Sequence, residues 1–528
     1  MKKMIVLRRC SQAASVSLCM YILWSTTYPL RGNVAPAILF KLDPLIMILT
    51  SVSERLLVSG IVLALFMLAL TAVLGRFFCG WVCPLGAVID VAGALRRSRQ
   101  PDDRSNERRS RPKFIVLLAL LICAAAGIQL AWAVDPEVIF ARFISLNLIP
   151  GATAAADGLF AWLIQTFGFY GPVYDFYRQL TMSVLGVKVY YFAHAVLILA
   201  MFVAVVGMSL VFSRFWCRTL CPLGALYALF ARRTLLRRTV QPCAQCMRCR
   251  TDCRMGAIKE DLSYAPGECV LCMDCLYQCS TREIRFGFSR GGAARRLPEE
   301  SGGITRRQFL LLGALALGSA GAGEYPQTQE SAPDSAGGAQ EIKQVFPGRV
   351  IRPPAALRER AFLNRCVRCG NCMKVCITNG LQPALFQSGY AGIWTPQLVF
   401  EIGYCEYQCT LCGQVCPTGA IPRLSVEEKR KTRLGLARID RALCLPWRKN
   451  KQCIVCEEHC PVSNKAIVFK KTLIDGKQVF RPYVNLDRCI GCGICQTKCP
   501  VRPVRAIKIY PVRETRSEGS IQSAQKLV

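Results

Sequence analysis

The chain has 528 residues, of which 52% are hydrophobic and 19% charged, and it carries a net charge of +33. A composition this apolar is atypical of a purely soluble protein, so part of the chain is expected in lipid. Its 31 cysteines recur at short spacings in a long chain, which excludes a small disulfide scaffold and indicates metal ligation. A positive chain could bind nucleic acid. Here thiolate-bound metal clusters would be negatively charged and would offset part of the positive charge, so no nucleic-acid partner is expected.

Four apolar stretches approach the ~20 residues that a membrane-spanning helix requires. They lie at about 12–29, 56–75, 114–134 and 190–212, and shorter apolar pieces near 36–52 and 154–170 are ambiguous. Arg and Lys cluster before the first stretch, in 96–113 and after the fourth, whereas the loops 30–55 and 135–189 carry few. The positive-inside rule therefore predicts about four spans, with both ends of the bundle in the cytoplasm.

The apolar region contains an internal duplication. The second stretch ends in Cys79-Gly-Trp-Val-Cys83-Pro-Leu-Gly-Ala, and the fourth ends in Cys217-Arg-Thr-Leu-Cys221-Pro-Leu-Gly-Ala. Each Cys-x-x-x-Cys pair places two thiols on one helix face. Two interpretations remain open: small residues that pack the bundle, or four thiols that converge in a redox or metal role. Three single cysteines, Cys10, Cys19 and Cys123, are interpreted as small buried apolar residues.

Ionisable residues in the apolar region are few. A bis-histidine haem is not expected, because His194 is the only histidine there. His194, Glu54, Asp43 and Asp135 are predicted at a similar depth near the outer side, and Asp43 and Asp135 stand in matching Asp-Pro pairs. They are candidates for a quinol site, since quinol oxidation needs proton acceptors. Interfacial helix caps are the alternative interpretation.

Directly after the fourth stretch, two cysteine runs follow the spacing of bacterial two-cluster ferredoxins. In that pattern three cysteines bind one cluster and the fourth binds the other. The predicted ligand sets are group A, with Cys243, Cys246, Cys249 and Cys279, and group B, with Cys269, Cys272, Cys275 and Cys253. Zinc is disfavoured, because zinc sites use two pairs rather than a triplet and a distant fourth ligand.

The C-terminal region repeats the pattern four more times, and crossed pairing predicts four further ligand sets. These are group C (Cys366, Cys369, Cys372, Cys416), group D (Cys405, Cys409, Cys412, Cys376), group E (Cys444, Cys453, Cys456, Cys499) and group F (Cys489, Cys492, Cys495, Cys460). Group D has one extra residue between its first two cysteines, and group E has the insert 445–452. The count of about six [4Fe–4S] clusters does not need His459, which is interpreted as an exposed helix residue.

Between the two cluster regions, Arg306 and Arg307 precede a short apolar run and an Ala-x-Ala-like site. This combination is typical of a twin-arginine export signal, here at about 304–323 in mid-chain. The predicted domains are a membrane bundle at 1–234, a cytoplasmic two-cluster ferredoxin domain at 235–290, linkers at 291–350 around the signal, a four-cluster domain at 351–515 and a tail at 516–528. The expected fold is thus an α-helical membrane bundle followed by α+β bacterial two-cluster ferredoxin-like domains.

These motifs resemble two families joined end to end. Residues 10–290 resemble the NapH/MauN membrane ferredoxin proteins, and residues 304–512 resemble the NapG/MauM exported polyferredoxins. The resemblance implies a bacterial inner-membrane protein whose C-terminal domain is periplasmic. It also implies electron transfer from the quinone pool to a periplasmic cytochrome or reductase, as a quinol dehydrogenase component rather than a stand-alone catalyst. Electron supply for the maturation or regulation of a periplasmic enzyme is the alternative. Direct reaction with NADH is not expected, since no Gly-x-Gly-x-x-Gly follows a strand.

Overall fold

The computed structural model describes residues 2–28, 30, 37–58, 60–95, 111–167, 170–181, 191–240, 243, 245–259, 262–279, 284–288, 350–474 and 477–517. The predicted twin-arginine segment at 304–323 lies outside the described residues. The chain divides into two units, each described by itself below. The first comprises 1–25, 32–147 and 196–324, and the second comprises 26–31, 148–195 and 325–528. The predicted domain boundaries had placed 148–195 with the N-terminal helices.

The first unit is mainly helical, and its helices form two matching series. The first series is α1 (Lys2–Ser25), α2 (Ala37–Lys41), α3 (Pro44–Glu54), α4 (Ile61–Leu74), α5 (Phe77–Trp81) and α6 (Pro84–Leu95). The second is α7 (Pro112–Ala125), α8 (Pro136–Phe143), α11 (Ala195–Val211), α12 (Phe215–Thr219) and α13 (Pro222–Ala231). Apart from α2, which has no counterpart among the described helices of the second series, the two series follow the same order, so the sequence duplication extends to the order of the helices.

Proline and glycine set where these helices begin and end. Pro44 and Pro136 occupy the first turn of α3 and α8, where a missing backbone N–H costs nothing. The preceding aspartates cap both helices: Asp43 Oδ1 accepts from Leu45 N at 2.8 Å, and Asp135 Oδ1 accepts from Glu137 N at 2.9 Å. The helix α4 ends at Gly75, whose φ of +86° favours glycine.

The four predicted spans are not confirmed by these helices. Among the described residues, one helical stretch, Pro136–Phe167, is long and apolar enough to cross a membrane by length and composition. The predicted second and third spans appear as helices of 14 residues each, and the predicted fourth as one of 17 residues. The ambiguous stretch near 36–52 forms two helices, because Asp43-Pro44 interrupts it.

A small ferredoxin-like domain completes the first unit. Strand β1 (Leu236–Val240) pairs antiparallel with β2 (Ile284–Phe288), and Val240 faces Ile284. The short helices α14 (Arg248–Thr251) and α15 (Cys275–Gln278) lie between the strands in sequence. The core combines Ile258 and Ile284 with the cysteine side chains themselves. The domain therefore folds around the residues that groups A and B contribute.

The second unit contains the four C-terminal groups on short helices and two-stranded sheets. Its helices are α9 (Ile149–Phe167), α10 (Tyr170–Leu180), α16 (Glu359–Arg365), α17 (Asn371–Lys374), α18 (Leu411–Gln414), α19 (Val426–Lys431), α20 (Leu445–Arg448), α21 (Val455–Glu458) and α22 (Ile494–Lys498). The antiparallel pairs are β3 (Leu381–Pro383) with β4 (Pro396–Leu398), β5 (Leu436–Ile439) with β8 (Ile507–Tyr510), and β6 (Ile467–Ile474) with β7 (Lys477–Val484). The pair β5–β8 spans the part of the chain that supplies groups E and F.

Candidate iron–sulfur sites and the buried groups beside them

The structure brings together the cysteines of groups A and B in the crossed arrangement. Cys249 lies close enough to interact electrostatically with Cys243, Cys246 and Cys279. Cys275 has the same relation to Cys269 and to Cys253, which comes from the other run. The fourth cysteine of each run therefore lies beside the other run's triplet.

The four C-terminal groups are assembled in the same way. The cysteines of group C line one cavity, and those of group F line another. In group D, Cys412 interacts with Cys405, Cys409 and the crossed ligand Cys376. In group E, Cys456 interacts with Cys444, Cys453 and the crossed ligand Cys499. That these sets ligate clusters remains a prediction, but the side chains stand where it requires them.

The surroundings of the thiols fit an anionic iron–sulfur cluster. Backbone N–H groups donate to sulfur at 3.3–3.4 Å, as Ala257 does to Cys253, Ile421 to Cys416 and Ala437 to Cys489. Arg238 Nη2 donates to Cys249 Sγ at 3.3 Å. Hydrogen bonds to sulfur are among the groups that hold a cluster and tune its potential.

Burial has a second consequence for these thiols. It raises the pKa of Cys369 and of Cys492 to about 12. Without metal such thiols carry protons at neutral pH, so cluster binding releases protons. Among the described residues no three Cys, His, Asp or Glu side chains are close enough to bind one metal ion. Cluster ligands need not meet that requirement, because each binds a different iron.

The insert in group E is accommodated outside the ligand set. The insert 445–452 forms α20 and packs on strand β7, where Trp447 Nε1 donates to Pro482 O at 3.2 Å. The insert therefore does not separate the cysteines of group E. His459 is exposed, and its Nδ1 lies 3.0 Å from Val455 O of its own helix.

Contacts between neighbouring groups define an order in the second unit. Cys372 of group C interacts with Cys412 of group D. Cys405 of group D donates its backbone N–H to Cys492 O of group F at 2.9 Å. Cys495 of group F interacts with Cys456 of group E. The spatial order is thus C, D, F, E, which differs from the order in sequence.

The four residues proposed for a quinol site are only partly brought together. Asp43 and Asp135 are fully buried, and their carboxyl groups lie close enough to interact with each other. Glu54 ends α3, eleven residues and about 16 Å along the helix from Asp43 at 1.5 Å per residue, so it is not part of this pair. His194 belongs to the second unit.

Sequence reasoning missed one member of this carboxyl cluster. Glu137 lies close enough to Asp43 and Asp135 to interact with both. Among the described residues, the second oxygens of the two aspartates, Oδ2, have no hydrogen-bond partner. The Asp135-Pro-Glu137 spacing could have indicated that Glu137 belongs to the cluster, because this spacing places Glu137 in the first turn of the helix that Asp135 caps.

The four thiols of the duplicated motif also converge. All four are buried: Cys79, Cys83, Cys217 and Cys221. The first cysteines of the two copies, Cys79 and Cys217, interact electrostatically with each other, and both interact with the second cysteines, Cys83 and Cys221. The two copies of the repeat therefore contribute one pair of thiols each to a single buried set.

The fold and the cysteine groups define the class of the protein: a ferredoxin-type iron–sulfur protein with duplicated modules. A 4Fe-4S binding domain matches residues 56–101 and 195–241, and a 4Fe-4S dicluster domain matches residues 365–420 and 451–502. Through its C-terminal third the chain belongs to the family of NapG and MauM ferredoxin-type proteins. It is 36% identical to the ferredoxin-type protein NapG of Escherichia coli over 34% of this chain and 79% of that protein.

Two further relatives support this assignment. The methylamine utilization ferredoxin-type protein MauM of Methylorubrum extorquens is 36% identical over 31% of this chain and 73% of its own length. The ferredoxin-type protein NapF of Escherichia coli is 31% identical over 30% of this chain and 84% of its own length. No solved structure matches the chain.

Proposed function

We propose that this protein is a membrane-bound electron carrier that takes electrons from quinol and delivers them to a periplasmic acceptor. In this proposal a NapH/MauN-like bundle in the bacterial inner membrane is fused to the NapG/MauM-like domain. Groups A and B face the cytoplasm, and groups C to F face the periplasm. A cluster in each group would supply reversible one-electron storage. One chain then holds both the NapH/MauN-like bundle and the NapG/MauM-like domain, which raises the effective concentration of each for the other.

The observation that carries this proposal is a set of contacts made by Lys374, Asn379 and Gln382, which follow the cysteine triplet of group C in sequence. Lys374 Nζ donates to Thr26 Oγ1 at 2.7 Å, and Asn379 Nδ2 donates to Tyr191 O at 2.9 Å. Gln382 also donates to Tyr191 O and accepts from Ala193 N, each at 3.0 Å. These partners lie in the predicted first and fourth spans, at the ends that the charge distribution assigns to the outer side.

The carboxyl pair of the first unit supports the donor side of the proposal. Oxidation of one quinol releases two electrons and two protons, so a quinol site needs buried groups that accept protons. Asp43 and Asp135 lie beside each other, and each keeps an oxygen without a donor among the described residues. Buried ionisable groups at membrane depth are functional candidates by default.

The acceptor side is assigned to group E, the last in the spatial order. The insert beside it carries Arg448, Lys449 and Lys451, all exposed, and no acidic residue. Lys470 and Lys471 of strand β6 are also exposed. We call these five residues the basic surface. A basic surface at the final group favours an acceptor with an acidic face, because complementary charge speeds association.

The proposal is tested by quinol-dependent reduction. The full chain, isolated without oxygen and placed in lipid nanodiscs, is mixed with a reduced short-chain quinone while visible absorbance and EPR are followed. Quinol is expected to reduce the clusters. The proposal fails if quinol leaves them oxidised while dithionite reduces them.

Electron supply for the maturation of a periplasmic enzyme is a second candidate function. It is favoured by the similarity to MauM, which is as high as that to NapG. The two candidates differ in the donor. Reduction by a cytoplasmic ferredoxin, but not by quinol, would support the second.

A further inference from the structure

We propose that Cys79, Cys83, Cys217 and Cys221 together hold a seventh iron–sulfur centre, placed between the two copies of the repeat and next to group B. The two pairs come from separate parts of the chain, and neither pair could complete a four-thiolate ligand set alone. The inference deepens the proposed function, because it places a redox centre between the helices and the ferredoxin-like domain.

The first support is a buried cationic side chain that faces the thiols with free donors. Arg76 is fully buried and interacts electrostatically with Cys79, Cys217 and Cys221. Its Nη1 donates to Gly267 O at 3.1 Å. Within the described residues, its Nε and Nη2 have no hydrogen-bond partner. Buried donors without partners are costly, so an anionic occupant between them and the thiols would satisfy them.

The second support is that the arginines cross between the copies. Arg214, which stands in the second copy where Arg76 stands in the first, donates through Nη1 to Cys79 O at 3.1 Å. Arg76 in turn reaches the second copy, where a Cβ on Gly224 would lie 2.7 Å from its Nη2. Each copy therefore supports the cysteine motif of the other.

The third support is the pattern of N–H donors and small residues at the sulfurs. Gly86 N donates to Cys83 Sγ at 3.4 Å, and Gly224 N donates to Cys221 Sγ at 3.2 Å. Both glycines lie in the first turn of a helix that begins with proline. The donors and the positive end of the helix favour negative charge on sulfur, as a metal-bound thiolate carries it.

The charges around the thiols also favour an anionic centre. The layer between the thiols and group B is connected by ion pairs, including Arg214 with Asp90 at 2.6 Å and Arg254 with Asp274 at 2.6 Å. Among the described residues that these ion pairs join, basic side chains outnumber acidic ones: they are Arg8, Arg76, Lys113, Arg214 and Arg254 against Asp90, Glu268 and Asp274. An iron–sulfur centre with four thiolates brings the negative charge that this layer leaves unbalanced.

Contact with group B gives such a centre a route for electrons. Trp81 Nε1, between the two cysteines of the first pair, donates to Leu271 O at 3.0 Å, and Leu271 lies within the ligand loop of group B. Arg214 interacts with Cys217 and also with Cys272 of group B. A Cβ on Gly80 would lie 2.0 Å from Val270 O, so the two loops touch through their backbones.

Several features distinguish this centre from a zinc site or a packing motif. The match to a 4Fe-4S binding domain covers both cysteine pairs and no cysteine of groups A to F. As with those groups, the thiols are not close enough to bind one ion, which disfavours mononuclear zinc. Packing alone does not account for the unpartnered donors of Arg76.

Metal analysis of the full chain tests the proposal without relying on activity. Six four-iron clusters account for about 24 iron atoms, so the seventh centre is expected to raise the value by about two to four. The Cys83→Ser/Cys221→Ser variant is expected to lose that excess and one Mössbauer component, while Cys10→Ser/Cys123→Ser keeps both. Equal iron in wild type and the first variant, or zinc in place of the excess iron, overturns the proposal.

A less disruptive variant provides a second test in case the double cysteine variant does not fold. Gly224→Ala places a methyl group against Arg76 and Cys221 Sγ, whereas Gly93→Ala, in α6, meets no atom within 4 Å. Gly224→Ala is expected to alter one Mössbauer component while the EPR signals of groups A and B persist, and Gly93→Ala to alter none. Unchanged spectra in both variants contradict the proposal. Neither result depends on quinol, so failure here is distinguishable from failure of the proposed function.

Discussion

Cys405 donates its backbone N–H to the carbonyl oxygen of Cys492 at 2.9 Å, and this hydrogen bond links group D to group F. In sequence, group E stands between them. The connection therefore makes group F the bridge from the first pair of groups to group E.

The spatial order predicts the effect of removing group F. In Cys489→Ser/Cys492→Ser, electrons that enter at group C are expected to reach group E at least about tenfold more slowly, a barrier increase of about 1.4 kcal/mol or more. Freeze-quench EPR after reduction measures this. As a control, Cys453→Ser/Cys456→Ser removes group E and should leave reduction of groups C, D and F unchanged. Unaltered reduction of group E without group F would contradict the order.

A buried lysine is expected to tune group D. Lys429 is 2% exposed, its Nζ donates to Glu406 O, and its positive charge lies close enough to interact with the Cys405 thiol. Because its positive charge favours the reduced cluster, Lys429→Gln is expected to lower the potential of one cluster by about 50 mV, close to the 59 mV of a tenfold change for one electron. Lys431→Gln, an exposed neighbour on α19, serves as the control. Redox-titrated EPR distinguishes them, and equal potentials in both variants would refute this role.

A substitution at Asp135 should separate its role as a helix cap from its proposed role in proton transfer. Asparagine also caps helices, so Asp135→Asn is expected to keep α8 intact while removing the ionisable group. Quinol-dependent reduction should slow by about 100-fold or more, within the range typical of a lost general base. Reduction by dithionite should be unaffected. Asp135→Ala additionally loses the cap, at about 1 kcal/mol of stability. Full quinol activity in Asp135→Asn would exclude the pair from proton transfer.

The basic surface predicts a charge-dependent exit of electrons. Reversal of Arg448, Lys449 and Lys451 to Glu is expected to slow oxidation of the reduced chain by the anion tris(oxalato)cobaltate(III) about tenfold at low salt. Oxidation by the cation tris(phenanthroline)cobalt(III) should speed up. Salt should diminish both effects, because screening acts on exposed charges. The control reverses Arg423, Arg430 and Lys431, which lie next to group D. Equal responses of the two triple variants would remove the assignment of the exit to group E.

The cysteine groups were predictable because their spacing is local. Four residues within a short loop can be recognised from sequence, and the crossed pairing follows from the repetition of that loop. The order of the groups could not be predicted, since it depends on a contact between Cys405 and Cys492, which are far apart in sequence.

The helical region was less predictable from the sequence than the cysteine groups. Hydropathy located the apolar stretches, but not where backbone chemistry interrupts them at Asp43-Pro44 and Gly75. Duplication indicated that Asp43 and Asp135 correspond, and it left convergence of the four thiols as one of two interpretations. The predicted depth placed Glu54 with the aspartates and missed Glu137, because it was inferred without knowing the helix boundaries.

The most direct test of the central claim, that six crossed cysteine groups hold clusters, is iron and acid-labile sulfide quantitation on the full chain isolated without oxygen. Six four-iron clusters would give at least about 24 atoms of each per chain. Iron at about 16 or fewer, with full occupancy of the remaining clusters by EPR, would contradict it.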